Sequence, residues 1–99
     1  TDTYLREISK WPKADREAAE KLPKKLSDNP FSGKPLSYKF LREQRIKGRR
    51  VYYLIYQELA LVLLVAVSDK KYQQTTINHI KEHLEEFKKV AEEVAKQVS

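Results

Sequence analysis

Hydrophobic positions change their spacing twice along this chain, and each change marks a different kind of element. Near the start Tyr4, Leu5, Ile8 and Trp11 recur at threes and fours, and Ala18, Ala19, Leu22 and Leu26 form a second stripe; this is the spacing of amphipathic helices. Asp2 or Thr3 suits the N-cap of the first helix, and Trp11-Pro12 ends it. A second helix is predicted over 13–27, with Pro23 kinking it or ending a turn early, since proline lacks the backbone donor and crowds the preceding turn. Residues 1–27 are therefore expected as an antiparallel helical hairpin able to cover one face of a sheet.

The sheet is predicted from the middle of the chain. The runs 51–56 (VYYLIY) and 59–67 (LALVLLVAV) are rich in β-branched, aromatic and leucine residues and too short for independent helices. They read as neighbouring strands joined by a tight turn near Gln57-Glu58. No polar residue alternates through 59–67, so that strand is expected to be covered on both faces. Residues 27–35 (SDNPFSGKP) carry the turn formers of a loop, and 43–47 read as a further strand ending at Gly48. The sheet is thus placed within 36–69. After Lys70 a polar run leads into Ile77, Ile80, Leu84, Phe87, Ala91, Val94 and Val98, which predicts one amphipathic helix over 75–98, about 35 Å long.

Composition narrows the reading to a single α+β domain spanning 1–99, since a chain of 99 residues supports one core and no second. There is no cysteine, so thiolate metal sites and disulfides are excluded, in keeping with a reducing, cytoplasmic setting. The longest apolar run is far shorter than the ~20 residues that cross a bilayer, and no membrane association is expected. Methionine is absent, the first position included; either the initiator has been removed or the chain continues upstream.

Charge changes the picture more. Between Lys34 and Arg50 lie seven cations (Lys34, Lys39, Arg42, Arg45, Lys47, Arg49 and Arg50) and one acid, Glu43, so this segment carries the whole net charge of +6. A surplus confined to one segment points to a surface facing a polyanion, because a solubility surplus is scattered.

These residues also carry a family pattern. The helix break at Trp11-Pro12, the loop 29–36 (NPFSGKPL), the arginine-bearing stretch with Arg42 and Arg45, and 50–53 (RVYY) entering the next strand follow one another over 4–72. In that order and spacing the chain resembles the RelE/ParE superfamily of toxins from toxin–antitoxin systems. The resemblance implies a helical hairpin packed on a small, curved, mostly antiparallel sheet, with the open sheet face binding RNA or another target. It departs from the family in two ways: relatives begin with a strand before the first helix, and the C-terminal helix here exceeds the usual ending.

RelE-like members cleave messenger RNA on the ribosome without metal or cofactor, and ParE-like members inhibit DNA gyrase. The resemblance therefore implies a metal-independent endoribonuclease, with a noncatalytic gyrase inhibitor or a decayed toxin that binds nucleic acid or antitoxin as the alternative. Its implied partners are a cognate antitoxin, in a hetero-oligomer, and the ribosome with its mRNA. Cleavage of this type is attack by a ribose 2′-hydroxyl on the adjacent phosphorus, which needs a base, stabilisation of charge on phosphoryl oxygens and an acid. Arg50 matches the family's strand-entry arginine, whose planar fork suits two phosphate oxygens. Lys70 stands where relatives carry an arginine, and Tyr72 is a candidate to stack on a base or donate a proton. Arg45 completes the catalytic set, with Lys39, Arg42, Lys47, Arg49 and Lys71 as further RNA ligands.

One motif points elsewhere: 79–83 (HIKEH) spells H-x-x-E-H, a zinc-protease helix pattern. Such a site needs a third ligand on a supporting helix, and only sixteen residues follow His83. His79 and His83 are therefore expected as solvated histidines beside the apolar stripe, with no metal.

Overall fold

The computed structural model describes residues 1–98, apart from the side chain of Val98. Its elements run α1 (Asp2–Ile8), α2 (Lys13–Glu20), α3 (Leu22–Asp28), β1 (Lys34–Pro35), β2 (Leu41–Ile46), β3 (Arg49–Tyr56), β4 (Leu61–Asp69), α4 (Gln73–Glu82) and α5 (Leu84–Val98). The strands form one antiparallel meander in the order β1-β2-β3-β4, so the fold is the expected α+β. The sheet begins two residues earlier than predicted, because Lys34 and Pro35 pair with Glu43 and Arg42.

Helices cover both sheet faces. On the first face Tyr4, Ile8 and Trp11, with Ala19, Leu22 and Leu26, pack against Ile46, Val51, Tyr53 and Ile55. On the second, Ile77, Ile80 and Ala91 pack against Leu41, Tyr52, Leu54, Leu63 and Val65. Tyr52, Tyr53, Leu41, Leu54, Leu26 and Ile80 are fully buried, and each such apolar side chain contributes about 1.5–3 kcal/mol by leaving water. The strand expected to be covered on both sides is β4, which contacts α1 on one side and α4 and α5 on the other. The open face implied by the resemblance is therefore closed over most of its area. Among the described residues no helix is long and apolar enough to cross a membrane.

The first helix ends at Ile8, short of Trp11-Pro12. The strands predicted at 43–47, 51–56 and 59–67 run over Leu41–Ile46, Arg49–Tyr56 and Leu61–Asp69, and three further differences have a clear physical cause. The predicted helix 13–27 is two helices, broken at Lys21 rather than at Pro23. Proline is accommodated in the first turn of a helix, where the backbone donor is unused, so the break precedes it. The predicted 75–98 helix starts at Gln73 and breaks at His83, whose ψ of 21° leaves helical geometry. With that break both segments place apolar residues on the sheet. Connection 57–60 is a short 3-10 turn closed by Ala60 in the left-handed region, φ 49°, where a tight two-residue turn was predicted.

The loop between α3 and β1 is fastened by polar side chains of the sheet. Arg42 donates to the carbonyls of Phe31, Gly33 and Lys39 at 2.8–3.0 Å. The Tyr53 hydroxyl donates to the Pro30 carbonyl at 2.8 Å and accepts from the Gly33 N–H at 3.0 Å. Gln44 donates to the Ser32 hydroxyl at 2.8 Å. Any Cβ at Gly33 would lie 2.5 Å from the Tyr53 hydroxyl and 2.7 Å from the Glu43 carbonyl oxygen, which is why only glycine fits.

Candidate nucleic-acid interface

Sheet register decides which cations meet. In the β2–β3 hairpin Arg45 pairs with Arg50 and Ile46 with Arg49, leaving Lys47 and Gly48 as the two-residue turn. Lys47 is left-handed there, φ 57°. β3 pairs Arg50 with Ser68 and Arg49 with Asp69 on β4, which brings the 70–72 turn to the same end. Arg45, Lys47, Arg49, Arg50, Lys70, Lys71 and Tyr72 therefore gather at one end of the sheet, although more than twenty residues separate the first from the last.

Alternation along the strands then divides this end between two faces. Arg49 lies on the first face, where its Nε meets Asp15 Oδ2 at 3.0 Å and its guanidinium sits 5.0 Å from the Trp11 ring centroid. Lys47 joins the same carboxylate, 3.4 Å from Oδ1. The hydrogen bond from Arg49, followed by Lys47, holds Asp15 below the usual carboxylate range. These two expected RNA ligands are thus tied to α2.

Arg50 lies on the second face and is 6% exposed. Its Nε is 2.8 Å from Glu43 Oε1, but the N–H is not aligned for a hydrogen bond, so the contact is a buried ion pair with imperfect geometry. Gln73, in the first turn of α4, donates to the same Glu43 oxygen at 2.8 Å. Beside them the Tyr52 and Ser68 hydroxyls are 2.8 Å apart, and desolvation raises the Tyr52 phenol above its usual pKa despite the Ser68 hydrogen bond. The expectation of an open-face Arg50 is thereby corrected: it is buried, and it is neutralised by a carboxylate that also accepts from the first turn of α4. Glu43, Gln73, Ser68 and Tyr52 were not among the expected site residues. The available signal was Glu43 itself, the one acid in the cationic band and on the same strand face as Arg45.

The rest of the expected set is more accessible. Arg45, Lys70, Lys71 and Tyr72 are exposed, and Lys71 Nζ stands 5.5 Å from the Tyr72 ring centroid. No ion pair or side-chain hydrogen bond engages Arg45 or Lys70 among the described residues. Lys39 and Arg42 fall at the opposite end of β2, with Lys39 Nζ 5.8 Å and the Arg42 guanidinium 4.8 Å from the Phe31 ring centroid. Arg42 is buried and fixed by three carbonyls, so its predicted role as a phosphate ligand gives way to a structural one.

His79 and His83 have ring centroids 4.2 Å apart, and His83 Nδ1 lies 2.8 Å from the His79 carbonyl oxygen. Because α4 ends between them, they do not share one regular helix. No group of three or more His, Cys, Asp and Glu among the described residues is placed to hold a metal ion. The chemistry this end of the sheet offers is multivalent hydrogen bonding and charge toward phosphate, with one exposed aromatic ring. No family model, curated protein or solved structure matches the chain.

Proposed function

We propose that this chain is the toxin component of a toxin–antitoxin pair of the RelE/ParE kind, acting on messenger RNA at the ribosome through the cationic end of its sheet. The observation that carries the reading is that the sheet register brings the exposed Arg45, Lys70, Lys71 and Tyr72 to one end of the sheet, with no ion pair or side-chain hydrogen bond on Arg45 or Lys70 among the described residues. Unpaired arginine and lysine at such a surface are poised to displace counterions from a nucleic-acid backbone. In cleavage, the 2′-hydroxyl of the upstream nucleotide attacks phosphorus, its proton passes to a base, and the 5′-oxygen leaves with a proton from an acid. Arg45 holds the phosphoryl oxygens, and Lys70 and Tyr72 are the proton-transfer candidates, while the buried Arg50–Glu43 pair fixes the strand end behind them. All the charge this scheme needs comes from side chains, and both RNA and antitoxin would be met in the cytoplasm.

The test is mRNA cleavage on translating ribosomes with a chelator selective for transition metals, magnesium being kept to hold the ribosome together. Cleavage is expected to continue unchanged. Loss of cleavage together with stoichiometric zinc in the purified protein overturns the scheme.

A second reading, a noncatalytic relative acting on gyrase or binding nucleic acid, is favoured by one observation: Arg50 is buried and already neutralised by Glu43. It predicts no RNA cleavage at any protein concentration, with inhibition appearing instead in a DNA supercoiling assay.

A further inference from the structure

Two large aromatic rings stand exposed in the turn before β2, at the end of the sheet remote from Arg50. Tyr38 and Phe40 are 40% and 39% exposed, and their rings stack with centroids 4.9 Å apart and planes 5° from parallel. Most of the chain's other aromatic residues are buried or half-buried in the two cores, so an exposed stacked pair needs a separate account. Cations frame it: Lys81 Nζ lies 5.9 Å from the Tyr38 ring, and Lys39, between the two rings in sequence, lies over Phe31. Beside Phe40 opens a cavity of about 380 Å³, whose lining includes Tyr56, Lys39, Lys88, Glu58 and Glu85. Its lining joins apolar Phe31, Ile55 and Leu84 to two lysines and two glutamates, which suits the flat face of a nucleobase together with its polar edges.

The course of α4 connects this platform to the cationic end. Its first residue, Gln73, is bonded to Glu43 beside Arg50, and Lys81, near its end, is over Tyr38. Helix α4, packed on β4, thus reaches from Glu43 of β2 to the turn before that strand, with an aromatic ring and lysine at each end: Tyr72 with Lys71, and Tyr38 with Lys81. Eight helical residues span about 12 Å, a distance that a few nucleotides of extended single strand cover.

We infer that Tyr38 and Phe40 are a base-stacking platform for single-stranded RNA, with Lys39 and Lys81 holding the adjacent phosphates, so that a strand engaged at Arg45 and Lys70 continues along α4. The inference rests on the proposed RNA target and adds a second site to it. Stacking is tolerant of sequence, because every base has a flat face, and favours the bases that stack best. The platform therefore supplies affinity and direction along the strand rather than a code.

The experiment is fluorescence anisotropy with a labelled single-stranded RNA, free of ribosomes, titrated at several salt concentrations. Replacing both rings (Tyr38→Leu with Phe40→Leu) is expected to weaken binding about ten-fold or more while leaving the salt slope unchanged, since no phosphate contact is lost. Tyr38→Phe keeps the ring and should bind as the parent does. Lys39→Ala with Lys81→Ala should lower the salt slope by about 1.4, at about 0.7 per phosphate contact on a single strand. These positions are on the surface, and matching thermal unfolding of the variants separates binding loss from unfolding. Equal affinity of the ring-free variant and the parent overturns the platform and leaves the RNA target standing. A parent that binds no single-stranded RNA even at low salt overturns both. If the ring-free variant keeps RNA affinity but loses a copurifying protein partner, the exposed pair is a protein contact instead.

Discussion

Arg49 and Arg50 are adjacent in sequence and belong to opposite halves of the molecule, which makes them the sharpest residue-scale test of what the cationic segment does. Arg50 is buried with Glu43, and removing one partner of such a pair strands the other charge. Arg50→Ala is therefore expected to cost about 3–5 kcal/mol of stability, read by urea denaturation. Arg49 is one-third exposed and held by a carboxylate at the surface, so Arg49→Ala should cost less than about 1 kcal/mol. Unfolding alone could then explain any loss of activity in Arg50→Ala, and a third variant removes that ambiguity. Combining Glu43→Leu with Arg50→Met replaces the pair by apolar groups of similar size, and should return most of the stability. Its single-turnover cleavage rate should still be at least about 100-fold below the parent if Arg50 stabilises the transition state. Recovery of the rate along with the stability would make Arg50 a structural residue only.

At the scale of elements, the loop fastened across the sheet explains part of the family-like pattern in physical terms. Asn29 accepts from the Phe31 N–H, Gly33 lies against the Tyr53 hydroxyl, and Arg42 and Gln44 reach across from β2. Gly33→Ala should therefore lower stability by about 1–3 kcal/mol, because the new methyl meets backbone and a buried hydroxyl with no room to move. Gly48→Ala, in the β2–β3 turn, has open space around the new methyl and a φ that is not positive. It should be neutral or stabilise by up to about 1 kcal/mol by restricting the unfolded chain. Thermal unfolding of the two variants checks both, and a Gly33→Ala protein as stable as the parent would mean the loop is not seated as described. The same elements show what could be read from the chain. Apolar spacing placed the helices and strands, and Pro23 signalled a break in the second helix, although the break falls two residues earlier, at Lys21. Nothing announced the break at His83: neither proline nor glycine stands there, and the requirement that both α4 and α5 face the sheet is tertiary. The fate of Arg42 was equally hidden, since an arginine bound for a phosphate and one bound for three carbonyls look alike in sequence.

At the scale of the whole molecule, the fold separates cations that are contiguous in sequence. Lys39 and Arg42 go to one end of β2, Lys47 and Arg49 are tied to α2 through Asp15, and Arg45 stays free beside the incoming Lys70 and Lys71. What remains available to a macromolecule is a smaller patch than the net charge suggests, gathered from β2 and the turn after β4. An inhibitor of the proposed toxin must hide that patch, and the complementary surface is acidic. A cognate antitoxin is accordingly expected to protect Lys70 and Lys71 from an amine-reactive label, while Lys10 and Lys13, on the surface of the helical hairpin, react as they do in the free protein. Charge reversal by Arg45→Glu with Lys70→Glu should slow association at low salt by about ten-fold or more, with the difference shrinking as salt screens both surfaces. Equal labelling of Lys70 and Lys71 in the free and bound protein would place the inhibitor elsewhere, leaving the cationic end open even in the complex. Inhibition would then have to act by bulk or through the Tyr38 end of the α4 track.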